Sequence, residues 1–150
     1  MNATNSELNL PRLLVPVPPS HRNCMVCGNG IDSLKLRFSE DGKDVAAKVH
    51  ADDLWQGYSG ILHGGMICTL LDAAMTHYLF RYGIEAMTVD LNVRFKQAVP
   101  CTEILELRAK SVQSKHRLFQ LCAELCVSNQ ICAQATGKFL VNPGRSDRKD

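Results

Sequence analysis

The sequence predicts an α+β fold in which one long helix covers one face of an antiparallel sheet. A helix-length apolar segment spans residues 64–82; two strand-like segments precede it and four follow it. The last four segments are joined by connections of only a few residues. Parallel neighbours would need crossover connections of a dozen or more residues, so the short links favour an antiparallel meander.

The first two strands are predicted from alternation and a turn signal. Residues 34–38 alternate apolar and polar side chains, as a half-buried strand does. Asp41-Gly42 is typical of a turn, and residues 45–49 form the predicted returning strand. The following loop, residues 51–62, carries Trp55 and Tyr58, which we expect to line a pocket.

The predicted helix covers residues 64–82, and we expect Gly83 to end it because glycine readily adopts the left-handed conformation found after helix C-termini. The four later strands are predicted over residues 87–97, 102–113, 116–128 and 130–141. Their junctions are marked by Pro100, by Ser114-Lys115 and by Asn129.

Length and composition favour one folded domain. The chain has 150 residues, of which 45% are hydrophobic and 21% charged, close to globular averages. Residues 1–20 contain four prolines and are predicted to be a flexible lead-in. Residues 21–142 would form the domain, and residues 143–150 a charged tail.

Charge, hydropathy and cysteine usage exclude several classes of partner. A formal net charge of +2 is too small to indicate nucleic acid binding. No apolar run approaches the roughly 18 residues of a spanning helix, so membrane insertion is not expected. The N-terminus lacks the pattern of a secretory signal, and the seven cysteines are typical of small buried side chains in a reducing compartment. We therefore expect a cytoplasmic protein.

Three possible metal ligands, His21, Cys24 and Cys27, follow one another at three-residue spacing. A zinc site usually has four ligands, and no second close pair supplies the fourth. A redox pair would be expected at a helix start in a βαβ unit, which is missing. We interpret the segment as a structural turn without a metal ion, and metal and redox roles remain the alternatives.

The strongest functional pattern is His63-Gly64-Gly65 at the start of the apolar helix. The first amides of a helix have no internal partner and carry partial positive charge, so they suit an anion or a polarised carbonyl oxygen. Gly65, Thr69, Asp72 and Thr76 are spaced to share one face of this helix. A carboxylate on so apolar a helix is costly unless it is paired or used.

These residues carry a resemblance to a known family. Gly60, His63, Gly64, Gly65 and Asp72 match a Gly-x-x-His-Gly-Gly motif followed, after six residues, by an acidic residue. The chain thereby resembles the hot-dog-fold acyl-CoA thioesterases of the phenylacetate-pathway (PaaI-like) type. Residues 88–95 are similar to that family's third strand, and the likeness extends over roughly residues 23–141.

The resemblance implies an antiparallel sheet wrapped around one long central helix. It implies hydrolysis of acyl-CoA to a free carboxylic acid and coenzyme A, with no metal and no other cofactor. It also implies a homodimer paired through the third strand, which could assemble further into a dimer of dimers (a homotetramer). The alternative function is a non-catalytic acyl-CoA-binding or regulatory module on the same fold.

The residues then have expected roles. Gly64 would offer its amide to the developing oxyanion, and Asp72 would act either as a base towards water or as a nucleophile. His63 would orient the loop or touch the thioester, with a purely structural role as the alternative. Two further residues near the site, Gln56 and Thr76, could contact the attacking water or hold the carboxylate.

Substrate binding is expected at two kinds of position. Gly65 lies at the helix start, and Thr88 occupies the place where relatives carry Ser or Thr near the site. Coenzyme A carries phosphates, so basic residues are expected at the pocket mouth. Candidates are Arg94, Lys96 and Lys115, which could equally be ordinary solvated charges.

Overall fold

The structure, a computed structural model, describes residues 12–141. One long helix, α1 (Gly64–Arg81), packs against a single six-stranded antiparallel sheet. The strands are β1 (Ser39–Asp41), β2 (Asp44–His50), β3 (Met87–Phe95), β4 (Ile104–Lys115), β5 (Leu118–Val127) and β6 (Gln130–Leu140). The predicted α+β architecture is confirmed. No helix in residues 12–141 has both the length and the hydropathy needed to cross a bilayer.

Helix α1 is buried over most of its circumference by the curved sheet. Nine of its 18 residues are buried: Ile67, Leu70, Leu71, Ala73, Ala74, Met75, His77, Leu79 and Phe80. They pack against inward-facing residues of β2, β4, β5 and β6 in one core. The face bearing Gly65, Thr69, Asp72 and Thr76 stays partly open to solvent. The helix therefore presents one polar stripe from an otherwise apolar cylinder.

The C-terminus of α1 follows the prediction. Arg81 is the last helical residue, Tyr82 is the C-cap, and Gly83 adopts a φ of +71°. The Gly83 amide donates a hydrogen bond to the Phe80 carbonyl at 2.9 Å. Glycine ends the helix here because residues with a Cβ rarely adopt this left-handed conformation.

The order of strands in the sheet corrects the predicted simple meander. The order is β1-β2-β4-β5-β6-β3, so only β4, β5 and β6 form a meander. β3 pairs with β6 at the far edge, and the chain then crosses to β4 beside β2. Local sequence pattern carries no information on which non-sequential strands pair, and only the resemblance implied this topology.

The predicted strand over residues 34–38 is wrong. Lys35 has a φ of +52°, which interrupts any strand, and β1 begins only at Ser39. The amides of Leu34 and Leu36 instead donate to the carbonyls of Met25 and Val26, at 2.9 Å each. The backbone of this segment thus pairs with the Cys24–Cys27 loop instead of with another strand.

The later strands match the predicted ones with shifted ends. β4 runs to Lys115, so the predicted turn at Ser114-Lys115 lies two residues later, at His116-Arg117. The predicted junction at Asn129 is confirmed. Ser128 and Asn129 have φ values of +49° and +64°, the left-handed pair typical of a two-residue hairpin turn.

Strand β3 is an edge strand with an open outer side in the described part of the chain. Register with Gly137, Ala135 and Ala133 of β6 places Leu91, Val93 and Phe95 on the helix side, as alternation predicts. A bulge at Val89 shifts the register so that Thr88 also faces the helix. Val89 and Phe95 remain 55% and 53% exposed.

The predicted lead-in, residues 1–20, is only partly described. Residues 12–15 lie along β1: the Val15 amide donates to the Phe38 carbonyl, and the Glu40 amide donates to the Leu13 carbonyl, at 2.8 Å each. Val15 is buried in the core. Residues 1–11 and 142–150, which include the predicted charged tail, lie outside the described residues.

One buried histidine was missed by sequence reasoning. His77 is 1% exposed, its ring stacks on Phe38 at 4.5 Å, and its Nδ1–H donates to the Ala73 carbonyl at 2.7 Å. Its Nε2 has no hydrogen-bond partner among the described residues. Burial lowers the pKa of His77 to about 4, because a second proton would place a charge inside the core.

We expect His77 to make the fold sensitive to acid. The unfolded chain binds a proton at this imidazole below about pH 6.5, whereas the folded chain resists it down to about pH 4. The contribution of neutral His77 to the free energy of unfolding is therefore fully present above about pH 6.5, and it falls by about 2 kcal/mol by pH 5. Urea unfolding from pH 7.5 to 5 should show this slope in the wild type and a flatter one in His77→Phe. Equal slopes would contradict the assignment.

Candidate functional site

The loop before α1 is fastened to the chain after β3. The Leu62 amide donates to the Val99 carbonyl at 2.8 Å, and the Cys101 amide donates to the Gly60 carbonyl at 3.0 Å. Within the loop, the Gln56 side-chain oxygen accepts from the Gly60 amide at 2.9 Å. Gly60 has a φ of +75°, a turn conformation that favours glycine. Gln56 thus braces the turn, and its predicted contact with water remains untested.

His63 is the N-cap of α1. Its Nδ1 accepts a hydrogen bond from the Gly65 amide at 2.8 Å. An acceptor at Nδ1 has no proton there, so the ring proton of the neutral side chain lies on Nε2. His63 therefore acts as a cap through one nitrogen and can donate a hydrogen bond through the other. This arrangement supports the expected loop-orienting role.

The two glycines at the helix start have different surroundings. A Cβ on Gly65 would lie 3.0 Å from His63 Nδ1 and 3.1 Å from Cε1, so the capping ring needs glycine there. A Cβ on Gly64 would meet only the Phe95 ring, at an ordinary 3.5 Å. The chain itself therefore leaves room beside Gly64.

Gly64 lines two cavities. One, of about 240 Å³, is lined by Ile61, Leu62, Gly64, Ile67 and Phe95 and by residues 96–99. The other, of about 390 Å³, is lined by Gly57, Tyr58, Leu62, His63 and Gly64. Among residues 12–141, no acceptor is within hydrogen-bond distance of the Gly64 amide. A helix N-terminal donor without a recorded partner thus belongs to a residue that lines both cavities.

The carboxylate of Asp72 is held by strand β3. Thr88 Oγ1 donates to Asp72 Oδ1 at 2.7 Å, and Asp72 is half-buried on the open stripe of α1. Thr69 does not cap this carboxylate, because its hydroxyl donates to the Gly65 carbonyl at 2.9 Å. The structure thus brings together Asp72 and Thr88, and it records no hydrogen bond from Thr76.

The three predicted basic residues lie in different places. Lys96 lines the smaller cavity, of about 240 Å³, which is called the Gly64 cavity below. Arg94 is exposed on β3 with its neighbours Val93 and Phe95 facing the helix, so it points to the other face of the sheet. Lys115 lies at the far end of β4, beside the β4–β5 turn. Within one chain, only Lys96 reaches the Gly64 cavity.

Sequence reasoning missed how much of the Gly64 cavity comes from the segment after β3. Residues 97–99 line it together with Phe95, whereas Trp55, expected at a pocket, does not. Tyr58 does line the second cavity, as expected. Cys68 on α1 is no activated nucleophile, because burial raises the pKa of its thiol.

Comparison with known proteins identifies the neighbours of this chain. The sequence profile of the thioesterase superfamily matches residues 59–132. Acyl-coenzyme A thioesterase THEM4 of Bos taurus is 32% identical over 111 residues, which cover 72% of this chain and 46% of THEM4. The chain thus spans less than half the length of that relative.

Two solved structures show the same fold. A hypothetical thioesterase of Streptococcus pneumoniae, with coenzyme A, superposes with a TM-score of 0.67 at 17% identity, covering 71% of this chain and 88% of that one. A phenylacetic acid degradation-related protein of Ralstonia eutropha gives 0.67 at 20% identity, covering 84% and 92%. The predicted hot-dog fold is confirmed by this similarity.

The His63 cap generates a stability prediction. Gly64→Ala and Gly65→Ala should gain similar helix propensity, but only the latter displaces the capping ring. We expect Gly65→Ala to be less stable than Gly64→Ala by about 1 kcal/mol in urea unfolding. In a His63→Ala background the difference should vanish. A difference that persists there would show that the His63 ring is not its cause.

Proposed function

We propose that the chain hydrolyses acyl-CoA thioesters to a free carboxylic acid and coenzyme A, because residues 59–132 match the thioesterase superfamily and the chain has the hot-dog fold. The observation that carries the proposal is the pairing of two features on one helix. A free amide begins α1 at Gly64, and an Asp72 carboxylate positioned by Thr88 lies on its open stripe.

The Gly64 amide would stabilise the transition state. Attack on a thioester carbonyl moves negative charge onto the carbonyl oxygen, and a fixed N–H donor at a helix N-terminus opposes that charge without reorganising. The room beside Gly64 allows the carbonyl to approach the backbone closely. His63, capping the next amide, keeps the donor oriented.

Asp72 would either activate a water nucleophile or attack the thioester itself. Thr88 holds Oδ1, and Oδ2 takes no part in that bond. Oδ2 then either removes a proton from water, whose oxygen attacks the carbonyl, or attacks the carbonyl itself to give an anhydride that water opens. Both routes consume one water and release the coenzyme A thiol. Thr88 is a positioning residue in both.

One chain cannot bring both groups to one carbonyl. Eight residues of helix separate Gly64 from Asp72 by about 12 Å, whereas each must lie about 3 Å from the reacting atoms. The site therefore needs a second subunit. The open outer side of β3, with Val89 and Phe95 exposed, supplies an edge for pairing with its copy about a two-fold axis.

Antiparallel pairing of β3 with its copy would assemble the site. Phe95, near one end of β3, lies against Gly64, and Thr88, near the other end, binds Asp72. A two-fold axis close to the strand centre, between Leu91 and Asn92, places opposite ends side by side. Gly64 of one chain would then lie near Asp72 of the partner subunit. Two such dimers could associate further into a tetramer.

The coenzyme A portion would extend from the Gly64 cavity past Lys96. The Streptococcus pneumoniae structure of this fold contains coenzyme A, which supports a coenzyme A thioester as the ligand class. Lys96 is the basic residue on the cavity, where an ammonium group would attract a phosphate. Arg94 and Lys115 would contribute only if the partner subunit brings them to the same mouth.

A cytoplasmic location is part of the proposal. The seven cysteines are all free thiols, and three of them (Cys27, Cys101 and Cys132) are buried. Unpaired cysteines in such number are typical of a reducing compartment.

We expect Asp72→Asn to lower kcat by at least about 10²-fold on the best substrate from a panel of aryl, short, medium and long acyl-CoAs. The change removes the charge and keeps the size. Thr88→Val should lower kcat about tenfold, and Thr88→Ser should restore it, because a hydroxyl again holds Oδ1. Asp32→Asn, at an exposed turn, is the charge-matched control and should keep wild-type turnover.

Binding measured alongside turnover separates the two candidate functions. An acyl-CoA that binds in calorimetry while no member of the panel is hydrolysed would support the non-catalytic binding module and contradict the proposal. Wild-type turnover in a folded Asp72→Asn variant would remove Asp72 from the mechanism.

A further inference from the structure

A second side-chain cluster lies away from the Gly64 site, in the loop that precedes β1. His21 closes a short 3₁₀ helix (Pro19–His21), and Cys24 and Cys27 follow it. One ligand atom from each of the three lies within 4.8 Å of the other two, and Cys27 Sγ is 3.7 Å from His21 Nδ1. Around a tetrahedral zinc ion, two sulfurs lie about 3.8 Å apart and a sulfur and a nitrogen about 3.5 Å apart.

The backbone of this loop fixes the position of Cys24 and of its sulfur. The Val26 amide donates to Cys24 Sγ at 3.3 Å, and the Gly28 amide donates to the Cys24 carbonyl at 2.9 Å. A Cβ on Gly28 would stand 2.5 to 2.6 Å from three backbone atoms of Arg22 and Cys24, so only glycine permits the turn. Amide donors to sulfur stabilise the charge of metal-bound thiolates.

Surrounding residues fix the three ligands. The His21 ring packs edge-on against Phe80 of α1 with centroids 4.8 Å apart. Arg37 donates to the Cys27 carbonyl at 2.7 Å and to Asn29 Oδ1 at 3.0 Å, which clamps the loop. Cys27 is 1% exposed. Packing thus fixes the His21 ring, and hydrogen bonds fix the chain around the two cysteines, as supporting groups do in metal sites.

We propose that His21 Nδ1, Cys24 Sγ and Cys27 Sγ bind one zinc ion, with water completing the tetrahedron. Imidazole and thiolate are the ligands that zinc prefers, and thiolate disfavours magnesium and calcium. The sequence alone favours a bare turn, because two cysteines in a C-x-x-C are an incomplete set. In the structure His21 offers a third ligand, because one of its ring nitrogens lies within 4.8 Å of both sulfurs.

The zinc site would stabilise the fold by linking separate segments of the chain. It lies where residues 25 and 26 bind Leu34 and Leu36, and where His21 meets the helix through Phe80. Zinc binding would tie the segment before β1 to the C-terminal half of α1. Both thiols lose a proton on binding, so affinity should fall as pH falls. The inference is independent of the proposed thioester hydrolysis.

The test uses the untagged full chain, purified under reducing conditions and stripped of metal with a chelator. Titration with Zn²⁺ should saturate at one equivalent and raise the unfolding temperature. Titration with Co²⁺ should produce a thiolate-to-cobalt charge-transfer band and the visible bands of a tetrahedral site. No saturable Zn²⁺ binding and no charge-transfer band would overturn the proposal.

Variants assign the ligands. Cys24→Ser, Cys27→Ser and His21→Gln should each weaken Zn²⁺ binding at least tenfold, while Cys126→Ser, a cysteine of β5 outside the cluster, should bind as the wild type does. Unchanged affinity in the His21→Gln variant would overturn the three-ligand site. Mass spectrometry adds a redox outcome: a Cys24–Cys27 disulfide whose reduced form binds no zinc would replace the metal site by a thiol pair. If a variant does not fold, the wild-type Co²⁺ spectrum still decides.

Discussion

The burial of α1 inside a curved sheet is the constraint on which the rest of the molecule depends. Residues such as Leu70, Ala74 and Met75 are fully buried, so the sheet must reach around most of the helix. Gly137 on β6 permits this close packing, since a Cβ there would stand 3.1 Å from the Met75 side chain. Six antiparallel strands leave a single open stripe, and every polar residue proposed for chemistry on α1 lies along it.

The open stripe and the edge strand define the site together. β3 closes one side of the stripe, contacting Gly64 through Phe95 and Asp72 through Thr88. The same strand is the long open edge of the sheet in the described chain. A single element therefore binds the Asp72 carboxylate, borders Gly64 and carries the edge proposed for pairing with a second subunit. The proposed active site and the proposed dimer depend on the same strand.

Sequence patterns predicted the parts of the fold that local chemistry determines. The helix start at Gly64 and its end before Gly83 follow from capping chemistry, and the hairpin at Asn129 follows from its turn residues. The order of the strands depends on contacts between distant segments, which no local pattern encodes. The predicted strand at 34–38 is wrong for the same reason, since the amides of Leu34 and Leu36 pair with carbonyls of the Met25–Val26 loop.

For the site, spacing on the helix predicted that Gly64 and Asp72 share a partly open face. It could not identify the partner of Asp72, because the bulge at Val89 decides which β3 residue faces the helix. Thr88, and not Thr76, makes the hydrogen bond. Likewise, the tautomer of His63 follows from a bond to the Gly65 amide that only the folded loop creates. Spacing placed Lys115 near a turn, but its distance from the Gly64 cavity follows only from the strand order.

The central claim is that each active site combines Gly64 of one chain with Asp72 of another. Gly64→Pro tests the amide donor without breaking the helix, because the residue is the first of α1 and proline is favoured at that position. His63 has extended backbone angles, which suit a following proline. The substitution removes the amide donor and should keep the helix.

The most direct measurement mixes equal amounts of inactive Asp72→Asn and inactive Gly64→Pro chains under conditions that exchange subunits, with exchange confirmed by mass spectrometry. Half of the resulting dimers are mixed, and each mixed dimer holds one site with both residues intact. Up to about a quarter of wild-type turnover should therefore return. No recovery in exchanged dimers would contradict a site shared between subunits.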